Sequence, residues 1–334
     1  EHQLKTASDK ITAINYLKGR GLSGEVVKSF SVGYISDAWD GMMKVFGQSY
    51  ASNQQLIDLG MAIKGDKNKP YDRFRGRIMF PIRDKRGRVI GFGGRVLGDA
   101  TPKYLNSPET RIYHKGHELY GLYEAKQANK KLNRLVVVEG YMDVVALAQH
   151  GVSYAVASLG TATTEEQLQT LFRTVQEVIC CYDGDRAGRD AAWRAMNNAL
   201  PLIRDGYTMK FVFLPDGEDP DSLIREQGQA AFEKILDEAI PLSKFIFNHL
   251  IAEVDMTSLE GRASLVNSFQ PYLARLPGGV LKDSIINELA NNFGTGTENQ
   301  LAKFKKNNIN KPEKYKPQAK NKVTPIRLAI ALLL

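Results

Sequence analysis

Between residues 135 and 214, short apolar runs rich in β-branched residues alternate with stretches of helical spacing, and this rhythm restricts the chain more than any other feature. The run Leu135-Val136-Val137-Val138 has the unbroken apolar character of a strand buried on both faces. Helical spacing follows over 142–150, and 153–157 reads as a second strand. Thr163 or Thr164 can cap a helix running through Gln176, with Glu165 and Glu166 in its first turn, where the dipole favours negative charge. Residues 178–182 make a third strand, 186–200 a helix and 209–214 a fourth strand. Such alternation predicts a mostly parallel sheet with right-handed crossovers.

In an open parallel sheet, ligands gather beyond the C-terminal ends of the strands. Glu139 directly follows the first strand, while Asp183 and Asp185 follow the third, with Gly184 between them. Although Glu139 and Asp183 stand 44 positions apart, the topology sends both to one edge. The fourth strand runs into Asp216, Glu218, Asp219 and Asp221. Like charges held this close repel unless a cation or shared proton intervenes. Mg²⁺ suits such a set, because it binds through one or two carboxylates together with phosphates and water. Mn²⁺ can substitute. Asp219 and Asp221 can extend the cluster toward a second ion, as in phosphoryl-transfer sites whose metals lie about 4 Å apart. Structural roles compete with these readings: Asp185 precedes a helix, and Asp219 before Pro220 has the pattern of an N-cap followed by proline. Asp143 either orients a neighbouring carboxylate or belongs to a helix start.

The charge of the chain is divided. Residues 64–134 hold 18 Lys/Arg against 7 Asp/Glu, a net of +11. Residues 139–221 hold 6 against 13, a net of −7. A basic stretch beside an acidic one suits a protein that holds a polyanion while gathering cations. Residues 1–134 mix short helical pieces with a β-hairpin, 77–82 and 88–95 joined through Asp84-Lys85-Arg86-Gly87. Gly91, Gly93 and Gly94 in its second strand signal a bulge or a close backbone approach. After residue 241 the pattern is helical, over 242–251, 259–276 and 280–293, with Gly294 as a C-cap. Residues 303–327 hold 9 Lys/Arg and 1 Glu with Asn, Gln and Pro, the composition of a solvated linker. Thr324-Pro325 then opens a helix at which the chain stops, so a further domain is expected downstream.

Cys180 and Cys181 are adjacent in an apolar run, which excludes a disulfide framework and points to a reducing compartment. His114 and His117 have no cysteine near them, so no zinc site is expected. The start, EHQLKTASDK, carries no secretory signal, and the apolar run 328–334 is far shorter than the ~20 residues of a spanning helix. The expected location is cytoplasmic.

Two stretches, Val138-Glu139-Gly140-Tyr141-Met142-Asp143 and Tyr182-Asp183-Gly184-Asp185-Arg186-Ala187-Gly188, resemble the Toprim fold of topoisomerases and primases. Phe74-Arg75-Gly76-Arg77-Ile78-Met79-Phe80-Pro81-Ile82, Thr101-Pro102-Lys103-Tyr104-Leu105-Asn106-Ser107-Pro108-Glu109-Thr110, Lys115-Gly116 and Asp216-Gly217-Glu218-Asp219-Pro220-Asp221 are similar to bacterial DnaG-type primases in particular. The resemblance covers roughly residues 8–295 and lacks that family's N-terminal zinc module. It implies a basic α+β subdomain over 1–134, a Toprim-like α/β subdomain over 135–240, a helical subdomain over 241–302, and a linker with the start of a helicase-interacting domain over 303–334.

The implied activity is synthesis of RNA primers on single-stranded DNA from ribonucleoside triphosphates. Glu139, Asp183 and Asp185 are then catalytic and, with Asp219 and Asp221, metal-binding, with Asp143 in support. Arg20, Arg77, Arg95, Lys103, Tyr104, Asn106 and Lys115 would line the template or nucleotide groove. A replicative helicase would bind through the missing C-terminal domain, and the core is expected to be monomeric. The rival within the same fold is strand cleavage, which needs a tyrosine nucleophile; Tyr141 and Tyr182 flank the acidic residues.

Overall fold

The computed structural model describes residues 1–65, 69–160 and 162–292. The basic segment 303–327, the Gly294 cap and the helix start at Pro325 lie outside the described residues. Three short helices open the chain, α1 (His2–Thr6), α2 (Lys10–Gly19) and α3 (Gly24–Ser29), followed by β1 (Gly33–Ile35). Helices α4 (Gly41–Phe46) and α5 (Tyr50–Asp58) precede a small antiparallel pair, β2 (Ala62–Lys64) and β3 (Pro70–Asp72).

The hairpin expected from the sequence is present as β4 (Arg77–Arg83) and β5 (Val89–Val96). Asp84 fixes its turn, its carboxylate accepting the backbone N–H of Arg86 at 2.9 Å and of Arg88 at 3.0 Å. With β6 (Tyr104–Asn106) these strands form an antiparallel sheet in the order β1-β4-β5-β6. Pro81 is tolerated in β4 because β1 pairs only with Arg77, Ile78 and Met79, leaving an open side beyond them. The glycine signal in β5 has a specific cause at Gly93, where any Cβ would overlap the ring of Tyr141. It marks close approach, and the register shift beside Ile82/Arg83 leaves Ile90 of β5 unpaired, a bulge next to Gly91.

After α6 (Leu122–Ala128) the alternating pattern becomes β7 (Arg134–Val138), α7 (Tyr141–Gln149), β8 (Ala155–Ala157), α8 (Glu165–Phe172), β9 (Glu177–Tyr182), α9 (Arg186–Ala199) and β10 (Thr208–Phe213). Strands β8, β7, β9 and β10 are parallel neighbours in that order, and the short β11 (Ile240–Pro241) closes the sheet antiparallel to β10. The result is an α/β sheet, parallel except at one edge and flanked by helices. Helix α8 ends four residues before the expected Gln176. Thr174 turns its hydroxyl onto the Thr170 carbonyl and Val175 enters the core, so the chain leaves the helix to start β9.

The sheet interior is apolar throughout: Val136, Val156, Ile179, Cys180, Cys181 and Phe211 are fully buried. Both cysteines are free, and burial pushes the Cys180 thiol up to about 12. The antiparallel sheet docks on α7 through aromatic contacts. Tyr141 stacks on Phe80 at 5.3 Å and meets Tyr120 edge-on at 4.8 Å.

Beyond β10, α10 (Pro220–Asp237) is broken at Gly228, and α11 (Leu242–Ile251) lies against the sheet with Phe245 stacked on Phe211 at 4.4 Å. Helices α12 (Leu259–Arg275) and α13 (Val280–Asn292) follow, close to the spans expected. The chain divides into two compact units, one of residues 1–253 with Arg275–Pro277, the other containing most of α12 and all of α13. No helix among the described residues is long and apolar enough to cross a membrane.

Candidate active site

The order of the parallel strands reverses at β7. From β7 the chain steps outward to β8, then crosses back to β9 on the other side and continues to β10. The switch point therefore lies between the C-terminal ends of β7 and β9, where two loops leave in opposite directions and open a crevice. Val137 is aligned with Cys180, so Glu139 and Asp183 emerge side by side from that crevice.

The electrostatics record this crowding. Burial and then the charge of Asp183 raise the Glu139 carboxyl above the ordinary carboxylate range, with Asp185 adding to the effect. Burial, Asp219 and Asp185 likewise raise Asp183. Asp143, one turn into α7, is raised well above its ordinary value by burial first and by Asp219 next, with Asp183 and Asp221 contributing. One of its oxygens accepts the Gly140 N–H at 2.9 Å, which fixes the backbone directly after Glu139. Oε1 of Glu139 is buried without a hydrogen-bond partner among the described residues. The site has the oxygen ligands a hard cation needs.

The remaining acidic residues carry the structural roles seen in the sequence as well. Asp185 caps α9, accepting the Gly188 N–H at 2.7 Å, and Asp219 caps α10, accepting the Ser222 N–H at 2.7 Å. Each cap bond occupies one oxygen. Asp221 is different: it is 1% exposed, with Arg20 at 2.7 Å and Arg225 at 3.0 Å. Gly184 is required by packing, since a Cβ there would overlap the Leu214 carbonyl at the end of β10.

Among the described residues no three His, Cys, Asp or Glu side chains stand close enough to form a ready-made metal cage. An oxygen-only set that is loosely gathered fits Mg²⁺, which keeps several waters and completes its shell with substrate phosphates. Glu139 and Asp183 fit it best, being crowded, partly desolvated and free of any cationic partner among the described residues.

The basic residues named from the sequence scatter into distinct roles. Arg77 is 7% exposed, and its guanidinium donates to the carbonyls of Gly94 at 3.2 Å and Lys103 at 3.4 Å. It staples β4 to β5 and to the segment before β6. Arg95 is buried and donates to the Tyr104 hydroxyl at 3.1 Å, while Tyr104 itself is half-exposed. Lys103 is exposed. Asn106 accepts the Tyr141 hydroxyl at 2.6 Å and donates to the Leu159 carbonyl at 3.4 Å, tying β6 to the strand-end loops. Lys115 is partly desolvated, which lowers its pKa, and its ammonium lies beside Gly160 after β8.

One residue of this surface escaped the sequence reading. Tyr16 lies between two cations, with the Arg20 guanidinium 5.8 Å and that of Arg95 4.7 Å from its ring centre. A lone tyrosine in a polar helix gives no signal of this.

Comparison with known proteins is consistent along the whole length. Residues 1–126 match the family described as DNA primase catalytic core, N-terminal domain; 136–224 match a Toprim-like family; and 243–298 match the DnaB-helicase binding domain of primase. The last match falls on the helical region, whereas the sequence led to the expectation of helicase binding through a further C-terminal domain. The DNA primase of Escherichia coli (strain K12) is 54% identical over 326 residues, covering 96% of this chain and 55% of that protein. The chain thus spans about half the length of the curated relatives it matches. A solved DnaG primase catalytic domain bound to ssDNA is similar at a TM-score of 0.86 and 55% identity, covering 90% of this chain and 94% of that one. A DNA primase domain from Pseudomonas aeruginosa gives 0.87 and 48%, covering 91% and 95%.

Proposed function

Because this chain belongs to the DnaG-type bacterial DNA primase family, we propose that it synthesises short RNA primers on single-stranded DNA, transferring nucleotides from ribonucleoside triphosphates in a Mg²⁺-dependent reaction. The observation that carries this reading is the placement of Glu139 and Asp183 at the switch point, with Asp185 and Asp219 beside them. Glu139, Asp183, Asp185 and Asp219 would hold the ion, with Mn²⁺ as a substitute. When bound, Mg²⁺ supplies a more acidic primer 3′-hydroxyl and neutralises triphosphate charge.

The chain's own groups supply position. Asp143 holds the Gly140 backbone and so orients the Glu139 carboxylate. The caps made by Asp185 and Asp219 fix one oxygen each and leave the other free of a cap bond. Lys103 and Lys115 are available to neutralise backbone phosphates, and half-exposed Tyr104, held by buried Arg95, offers a stacking face for a base. Arg77 contributes by holding the Lys103 segment against the hairpin, and Asn106 by holding β6 against Tyr141. No protein nucleophile is needed. Tyr141 is buried, with its hydroxyl engaged by Asn106, and Tyr182 is buried beneath Thr163, so neither is offered for strand cleavage.

The same reading assigns 1–134 to the nucleic-acid face, 135–240 to chemistry and 241–302 to the helicase, in a cytoplasmic protein whose core is monomeric. One assay tests it: single-stranded template, four ribonucleotides and Mg²⁺, with and without chelator. The expected product is short RNA that needs the triphosphates and disappears with chelator. Cut DNA that forms without triphosphates would favour the strand-cleaving alternative.

A further inference from the structure

Asp221 sits two residues past the cap of α10, and its carboxylate is spoken for on both sides. Oδ2 accepts an aligned hydrogen bond from Nη1 of Arg20 at 2.7 Å, across 201 positions of sequence. Oδ1 faces Nε of Arg225 at 3.0 Å, an ion pair rather than an aligned hydrogen bond. The group is 1% exposed. One carboxylate between two guanidinium groups leaves a net positive trio, so its field attracts anions and repels a divalent cation. A metal joining it would have to displace arginines from a buried charge, leaving them unpaired beside the ion. Glu139 and Asp183 present the reverse situation, with no cationic partner among the described residues.

Arg20 ends α2 and retains partial exposure, its side chain being 29% accessible. Only one of its five donors is committed to Asp221 by a hydrogen bond. The Tyr16 ring lies between it and Arg95, which is in turn tied to Tyr104, so Asp221 anchors a row of two cations and two tyrosines. A guanidinium already fixed by a buried carboxylate loses little rotamer freedom when it grips a phosphate.

Building on the primase reading, we infer that Asp221 is a positioning residue that acts through Arg20, holding it to grip the polyphosphate of the incoming nucleotide, and that it is not a ligand of the divalent cation. This removes one of the five carboxylates that the sequence assigns to the metal and gives it to the anion.

The test combines a binding measurement without nucleotide and a kinetic one with it. Mn²⁺ affinity, read by electron paramagnetic resonance of the free ion, is compared for the parent protein, Asp183→Asn and Asp221→Asn. Asp221→Asn is expected to stay within about 2-fold of the parent, while Asp183→Asn weakens binding by about tenfold or more. In primer synthesis, Asp221→Asn should raise KM for the triphosphate by about tenfold with the half-maximal Mg²⁺ concentration unchanged. Arg20→Lys should reproduce that rise, and Arg20→Ala combined with Asp221→Asn should be no worse than Arg20→Ala alone.

Loss of Mn²⁺ affinity in Asp221→Asn equal to that in Asp183→Asn overturns the inference, and so do multiplying defects in the double variant. If Asp221→Asn does not fold, Arg20→Lys decides, since it leaves the Asp221–Arg225 pair in place; an unchanged KM there overturns the inference. Parent protein that makes no RNA at all contradicts the primase reading instead, and the Mn²⁺ comparison still reads the role of Asp221.

Discussion

The parallel sheet and the antiparallel sheet beside it carry opposite charge, and they deliver their side chains by different means. In the parallel sheet the backbone does the work: whatever follows β7 and β9 must emerge at the switch point, so Glu139 and Asp183 meet whatever their other contacts. In the antiparallel sheet no such rule applies. Arg77 and Arg95 both lie on hairpin strands and both are 7% exposed, yet one staples two carbonyls and the other faces an aromatic pair. Strand ends thus converge by topology alone, whereas the role of a strand-borne cation is set by partners far away in the chain.

That contrast is open to direct attack. The largest effect should come at a strand end: Asp183→Asn should lower primer synthesis on the order of a thousand-fold, the scale seen when a group acting only in the transition state is lost. A gel assay of synthesis rate checks it, and a loss below tenfold would separate the crevice from the chemistry.

Next come the two cations that a sequence motif treats alike. Arg77→Ala should destabilise the fold by about 2–4 kcal/mol in urea unfolding, because two carbonyls lose a charged donor in a buried place. Lys103→Ala should leave stability within about 0.5 kcal/mol. It should instead weaken single-stranded DNA binding and reduce the salt slope by about 0.7, the contribution of one phosphate contact. Equal stability effects for the two would erase the distinction drawn between them.

The smallest effect is a pH dependence of the metal-free protein. Glu139 and Asp183 have carboxyls raised in the folded state, chiefly by burial and then by neighbouring carboxylates. A raised folded pKa stabilises the fold below the unfolded value of about 4 and loses that contribution as pH rises through the raised value. With chelator present, thermal unfolding of Glu139→Gln should fall less between pH 4 and neutrality than that of the parent, a window set by these values of about 4 upward. Saturating Mg²⁺ should close the gap, since the cation supplies what the extra carboxylate lacks.

Much of the fold was legible for a physical reason. Buried parallel strands need apolar β-branched runs, and Val136, Val137 and Val138 leave no alternative partner than a sheet interior. Helix ends were less legible: α8 stops at Phe172 because Thr174 and Val175 find partners outside the helix, which propensity does not encode. At the site, the capping roles of Asp185 and Asp219 were readable from the helix starts that follow them, and each cap engages one oxygen. Asp221 looked like their equal in sequence, because nothing local reveals that Arg20 lies against it. Tyr16 was invisible for the same reason.

The central claim is that the carboxylates at the switch point perform chemistry while the basic sheet holds nucleic acid. Glu139→Gln tests it most directly, measured on one preparation for both ribonucleotide incorporation and single-stranded DNA affinity. The expected result is lost synthesis with DNA affinity kept. Undiminished synthesis, or DNA affinity lost in parallel, would contradict it.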